Sequence, residues 1–176
     1  MEERMKFLDM AKARYSVRNY SSKKVEPEKL ERILEAAHVA PTAANLQPVR
    51  LLVIQEETGL AKIKKAGSVY DAPLAIIVCS DRTKAWTRPF DGKQTTDIDA
   101  TILTDHMMMA ATAEGLGSVW VCYFKSDVLK QEFHLPEGLE PINILGIGYA
   151  EGKAADPERH ERERIPMQEL VHYENI

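Results

Sequence analysis

Two arginines stand four residues apart in Arg14-Tyr15-Ser16-Val17-Arg18, with a serine hydroxyl between them. An arginine fork presents charged donors in a rigid plane, a geometry that suits phosphate oxygens. The segment therefore has the makings of an anion grip. A second segment, Pro41-Thr42-Ala43-Ala44-Asn45-Leu46-Gln47-Pro48, sets two side-chain amides between two prolines. Amides held in place can read the polar edge of a planar ring by hydrogen bonding. A capped turn would account for either segment alone. Both together, ahead of an α/β core, are more specific. Near the end, Arg162 and Arg164 bracket Glu163, a pattern that surface charge pairing also produces.

Elsewhere the chemistry thins out. There is no G-x-S-x-G elbow and no phosphate-binding P-loop. Gly115-Leu116-Gly117 lacks the third glycine of a dinucleotide fingerprint and falls between a helix and a strand, the wrong order for one. It reads as a helix stop. Cys79 and Cys122 both fall in apolar runs and read as buried, inert thiols. Two cysteines make no disulfide framework, and the five histidines share no metal-ligand spacing. No side-chain acid–base pair or metal set stands out as catalytic.

The chain has 176 residues, 44% hydrophobic and 28% charged, enough for one domain with its own core. A formal net charge of −4 argues against a general nucleic-acid binder. Residues 1–24 nevertheless hold seven basic and three acidic side chains, so a +4 segment opens an otherwise acidic protein. Such a start can mark an anion site or a solvated helix face. No apolar run approaches a membrane span, and the start does not read as a secretory signal, so a cytoplasmic protein is expected.

The elements that must position the two loops follow from periodicity. Residues 2–13 read as a helix and 14–24 as a polar loop. Pro27 suits a first helical position, and Leu30, Ile33, Leu34 and Ala37 give an amphipathic helix over 27–39. Short apolar strands are expected at 51–54, 74–79, 118–124 and 142–149, and further helices at 57–66 and 126–134. The run at 74–79 has the pattern of a strand covered on both faces. The longest helix, 97–116, is apolar around most of its circumference. Its polar sector is confined to Thr101, Thr104, Asp105 and Thr112, so it belongs in a core or an interface. The loop 80–96 carries Trp86 and Phe90, candidates for a lid, and 150–176 reads as an arm. The whole, 1–176, is expected to be one domain with a single sheet covered by helices.

In this order, ARYSVRNY, APTAANLQP, the long helix ending in EGLGSVWVCYF, and LGIGYAEG leading to the arginine tail resemble the nitroreductase family of FMN-dependent oxidoreductases. The resemblance implies an α+β, three-layer fold with a central, mostly antiparallel sheet flanked by helices. It further implies a domain-swapped homodimer with exchanged terminal arms and a long interface helix. FMN would be the tightly bound cofactor and NAD(P)H the donor. Arg14 and Ser16 would hold the flavin phosphate and ribityl chain, with Tyr15 contributing backbone and Arg18 helping. Arg162 and Arg164 would also reach the phosphate. The loop with Pro41, Thr42, Ala43, Asn45 and Gln47 would come from the second subunit and border the isoalloxazine. A backbone N–H near Cys122 and Tyr123 would face flavin N5.

The implied reaction is ping-pong hydride transfer from NAD(P)H through N5 to a small acceptor such as a nitroaromatic or quinone. Flavin cleavage, reductive dehalogenation or a non-enzymatic flavin-binding role are the alternatives on the same fold. Three departures are visible. Cys122-Tyr123 stands where many short relatives carry two small residues. Val49 replaces a frequent aromatic. The loop 80–96 has neither Glu nor Tyr, so it lacks the clamp expected of the branch that dehalogenates iodotyrosines.

Overall fold

Leu74–Asp81 is the strand around which everything else is arranged, and its alternation explains the layers. We label it β2 in a computed structural model that describes residues 6–176. Ala75, Ile77 and Cys79 face one core cluster, shared with the helices α3 (Glu57–Ala66) and α5 (Ser126–Glu132). Leu74, Ile76 and Val78 face the other, shared with α2 (Pro27–His38) and α4 (Thr96–Ala113). All six side chains are buried, and each large one stabilises the fold by about 1.5–3 kcal/mol. The both-faces reading of the run at 74–79 thus holds, though the sheet is antiparallel.

The sheet order is β1-β2-β4-β3, with β1 at Val49–Ile54, β3 at Gly117–Val121 and β4 at Leu139–Gly148; every named pair is antiparallel. The three-layer α+β expectation is borne out. Of the helix expected over 2–13, α1 spans Phe7–Ala13, and residues 1–5 lie outside the described part. Two short helices, α6 (His160–Glu163) and α7 (Met167–Leu170), lie in the tail.

The long helix corrects one expectation. Thr104, assigned to the polar sector, is fully buried: it donates to the Ala100 carbonyl and pairs with the buried amide of Asn143 on β4. That pairing satisfies both polar groups away from water. Ile98 instead is 48% exposed, and Ile102 and Met109 are only half covered by their own chain. Gly115 at φ +73 stops α4, and Leu116 N–H returns to the Ala111 carbonyl as a helix stop requires. No described helix is long and apolar enough to cross a membrane.

Glu26, the residue before α2, accepts from Lys23 and from the Tyr149 hydroxyl, which ties α2 to the end of β4. The Lys23 bond, then the Tyr149 bond, holds its carboxyl at about 2, below the ordinary 4.5. A depressed carboxyl stabilises the fold fully above its unfolded value and loses that effect as pH falls towards the folded value. The stability gap between the wild type and Glu26→Gln should therefore close as pH falls from 4.5 to about 2. Urea midpoints across that range check it; a gap independent of pH would contradict the assignment.

Candidate functional site

The segment after Arg14 meets the open edge of β3 at Ser16 and Val17 and then pairs at Asn19–Ser21 with residues 149–151, just past β4. Ser16 bridges Ser118 in parallel, Val17 N–H donates to the Ser118 carbonyl, and Glu151 N–H donates to the Asn19 carbonyl. The approach is close because Gly117 carries no side chain: a Cβ there would lie 2.5 Å from Val17 Cγ2. Arg14, Tyr15, Val17, Thr112, Gly117 and Ser118 are among the residues lining a cleft of about 220 Å³ at the C-terminal end of α4.

Its electrostatics are those of an anion seat. Burial first, then the charges of Arg159 and Arg164, push the Arg14 guanidinium below its usual value; Asp105 opposes them. Arg14 makes no ion pair among the described residues. Like charges held together this way are stabilised by a bound anion. The buried Ser118 hydroxyl in the same cleft has no hydrogen-bond partner, and buried polar groups ordinarily have one. A flavin phosphate with its hydroxylated ribityl chain fits this donor set.

The expected arginines divide. Arg164 faces Arg14. Arg162 pairs with Asp156 at 2.7 Å on the surface. Arg18 lies over the Tyr70 ring, 5.5 Å from its centroid. Arg159, which sequence reasoning missed, donates to the carbonyls of Lys12, Asp156 and Arg14, fastening the tail to the last turn of α1. The charged tail has no period to single it out. The available signal is Asp156-Pro157, where Asp156 accepts from Glu158 N–H and starts the turn that aims Arg159.

The amide loop is held by strained backbone. Ala44, Asn45 and Gln47 all have φ between 49° and 55°, at a cost of about 1–2 kcal/mol each for ordinary residues. Such strain persists only where surroundings enforce it. Here Gln47 N–H donates to Thr42 Oγ1, Gln47 Nε2 to the Asn45 carbonyl, and Ala43 N–H to Asp99 Oδ1 at 2.8 Å. Pro41 leads into this loop three residues after α2 ends. A second cleft of about 260 Å³, lined in part by His38, Thr42, Gln47, Arg50 and Leu103, lies beside it.

Trp86 sits at the same end of α4. Thr95 N–H donates to the Trp86 carbonyl at 3.0 Å, and a Thr87–Gln94 bridge closes the loop. Trp86 is half-buried, while Phe90 at 93% exposure covers nothing of its own chain. Asp99 and Thr112 are 13 positions apart, so the amide loop and the Arg14 cleft are separated along α4 by roughly 20 Å.

The thiols also divide. Cys79 is buried, and burial pushes its thiol up to about 12. Cys122 is a correction: β3 ends at Val121, and Cys122 and Tyr123 beyond it are exposed, because the chain turns away from β4 there. Among the described residues, no named strand covers the outer edge of β3 beyond the Ser16 bridge. Among the described residues no group of three metal-ligating side chains occurs.

Comparison with known proteins agrees with this architecture. The family model described as "Nitroreductase family" matches residues 11–67 and 64–149. A nitroreductase family protein of Clostridium difficile 630 is 59% identical, with a TM-score of 0.96 over 98% of this chain and 100% of its own. The FMN-dependent nitroreductase of Clostridium difficile R20291 is 26% identical, with a TM-score of 0.78 over 96% and 99%. The FMN reductase [NAD(P)H] of Bacillus subtilis strain 168 is 27% identical over 90% of this chain and 70% of its own length. With most of its length matched and its layers superposable on those of a solved member, the chain belongs to the nitroreductase family.

Proposed function

We propose that the chain is an FMN-dependent NAD(P)H oxidoreductase that works as a homodimer and reduces a small acceptor such as a nitroaromatic or quinone. The names of the Bacillus and Clostridium relatives support the cofactor and the donor. The observation that carries the reading is a cleft lined by Arg14 and by Ser118, whose buried hydroxyl has no partner, with the charges of Arg159 and Arg164 acting on Arg14. Bound FMN would supply a two-electron relay, taking hydride from NAD(P)H at N5 and passing it to the acceptor.

The chain's own residues do the rest. Arg14 and Arg164 would hold the phosphate, Arg159 fixes the Arg14 backbone by gripping its carbonyl, and Ser16 and Ser118 would offer hydroxyls to the ribityl chain. Arg18 and Arg162 add positive potential from outside. Backbone donors near Cys122 and Tyr123 would face N5 of bound flavin. The same positive field favours negative charge on the reduced cofactor.

Distance supports the dimer. A cleft of about 220 Å³ is below the ~300–1,000 Å³ of a pocket that encloses a small ligand. The amide loop with Pro41, Thr42, Ala43, Asn45 and Gln47 is too far along α4 to serve the same flavin. Two copies of α4 packed antiparallel would bring one chain's amide loop and Trp86 to the other's Arg14 cleft. The exposed Ile98 and half-covered Met109 suit that seam, and the exposed Ile165, Met167, Leu170 and Tyr173 suit an arm lying on a second subunit.

Purified protein is expected to be yellow, dimeric by light scattering, and able to oxidise NAD(P)H when given a quinone or nitroaromatic. Colourless protein that takes up no FMN on reconstitution would refute the cofactor, and yellow protein without turnover would refute the enzyme.

A further inference from the structure

Asp99 is fully buried near the start of α4, yet its two carboxylate oxygens serve two different loops. Oδ1 accepts from Ala43 N–H at 2.8 Å and so holds the strained amide loop. Oδ2 accepts from the Thr95 hydroxyl at 2.9 Å, and Thr95 in turn holds the Trp86 carbonyl through its backbone N–H at 3.0 Å. The positive end of α4 favours a carboxylate in this first turn. Burying a charge is costly unless it is fully bonded, so its placement calls for a reason beyond capping a helix.

We infer that Asp99 is a positioning residue that locks the amide loop and the Trp86 loop to one another, fixing the wall they present to the flavin and its acceptor. This rests on the flavin reading above. At their far ends the two loops share one other bond, Asp81 N–H to the Pro48 carbonyl beside the β1–β2 ladder; at Ala43 and Trp86 the link described is the one through Asp99. Without Asp99, the left-handed run through Ala44, Asn45 and Gln47 loses its tie to α4 and relaxes.

The test uses full-length Asp99→Ala, Asp99→Asn, Ala43→Pro and Thr95→Val. Amide hydrogen exchange of peptides spanning 41–48 and 82–96 is measured beside FMN titration and quinone-reduction kinetics. Asp99→Ala should speed exchange in both loops and lower FMN affinity, each on the order of tenfold. Asp99→Asn keeps an acceptor for Ala43 N–H, and Thr95 can reverse its bond, so protection and affinity should return. Ala43→Pro deletes the donor and leaves Asp99 in place; Thr42 is already extended, as the residue before a proline prefers. It should loosen 41–48 alone.

Thr95→Val should loosen 82–96 alone and raise KM for the acceptor with kcat unchanged. If Asp99→Ala fails to fold, Ala43→Pro and Thr95→Val still decide. Unchanged exchange of both loops in Asp99→Ala, or in the Ala43→Pro and Thr95→Val pair, overturns the proposal. If the wild type binds no FMN, the flavin reading fails, while the exchange data still judge the lock.

Discussion

Replacing Arg14 with alanine is expected to weaken FMN binding by about 100-fold, the value of a charge-assisted, two-pronged hydrogen bond worth ~3 kcal/mol. The same change should leave the flavin-free protein as stable as the wild type, or more so. Burial and the charges of Arg159 and Arg164 all oppose the Arg14 charge when no anion is present. This pairing of lost function with unharmed stability separates a binding residue from a packing residue. Arg14→Lys should recover part of the affinity, since charge returns without the planar fork. Arg18→Ala should do little, because that guanidinium rests on Tyr70. Fluorescence titration with FMN and thermal unfolding of the apo form check both halves. Flavin retention unchanged in Arg14→Ala would refute its role.

Gly117→Ala is the second large expected effect. Its new Cβ would lie 2.5 Å from Val17 Cγ2, 3.1 Å from Val17 Cβ and 3.2 Å from Ala150 Cβ. The opposite residue in the register, Gly148, is as tight: a methyl group there would lie 2.6 Å from Pro73 Cδ. The strand therefore has no room to yield on either side, and Val17 must lift. Overpacking of this kind costs about 1–3 kcal/mol. Lifting Val17 also breaks its bond to the Ser118 carbonyl and carries Arg14 and Ser16 off the cleft, so flavin affinity should fall together with Tm. The discriminating measurement is the double variant Gly117→Ala/Val17→Ala. Removing the Val17 γ-carbons opens space, so the two changes should cost less together than their sum. Strict additivity would show that the contact with Val17 is not the source of the loss.

The parts of the fold legible in sequence were those fixed by local pattern. The period of α2 and the continuous apolar run of β2 both appear where expected. The anion loop and the amide loop could be singled out because arginine spacing and paired prolines are local facts. What escaped depends on partners far along the chain. Asp99 looks like an ordinary N-terminal acid until Ala43, 56 residues earlier, donates to it. Thr104 looks solvent-facing until Asn143, 39 residues later, meets it inside. Cys122 looks buried because SVWVCYF has no break, yet the chain leaves β4 after Val121 although β4 itself runs on to Leu139. Arg159 could not be told from its charged neighbours, because its value lies in the Arg14 carbonyl 145 positions away.

Those same separations govern when the site can exist. Ser16 meets Ser118, Asn19 meets Glu151, and Arg14 meets Arg159. Each contact closes a loop of more than a hundred residues, and closures of that length form late on a folding route. The arginine loop, near the beginning of the chain, therefore waits for sequence near its end. A collapsed intermediate with its sheet half built has no phosphate seat, so flavin added during refolding should be captured only in the last kinetic phase. Cofactor uptake then becomes a clock for completion of the native fold, and flavin cannot act as its nucleus.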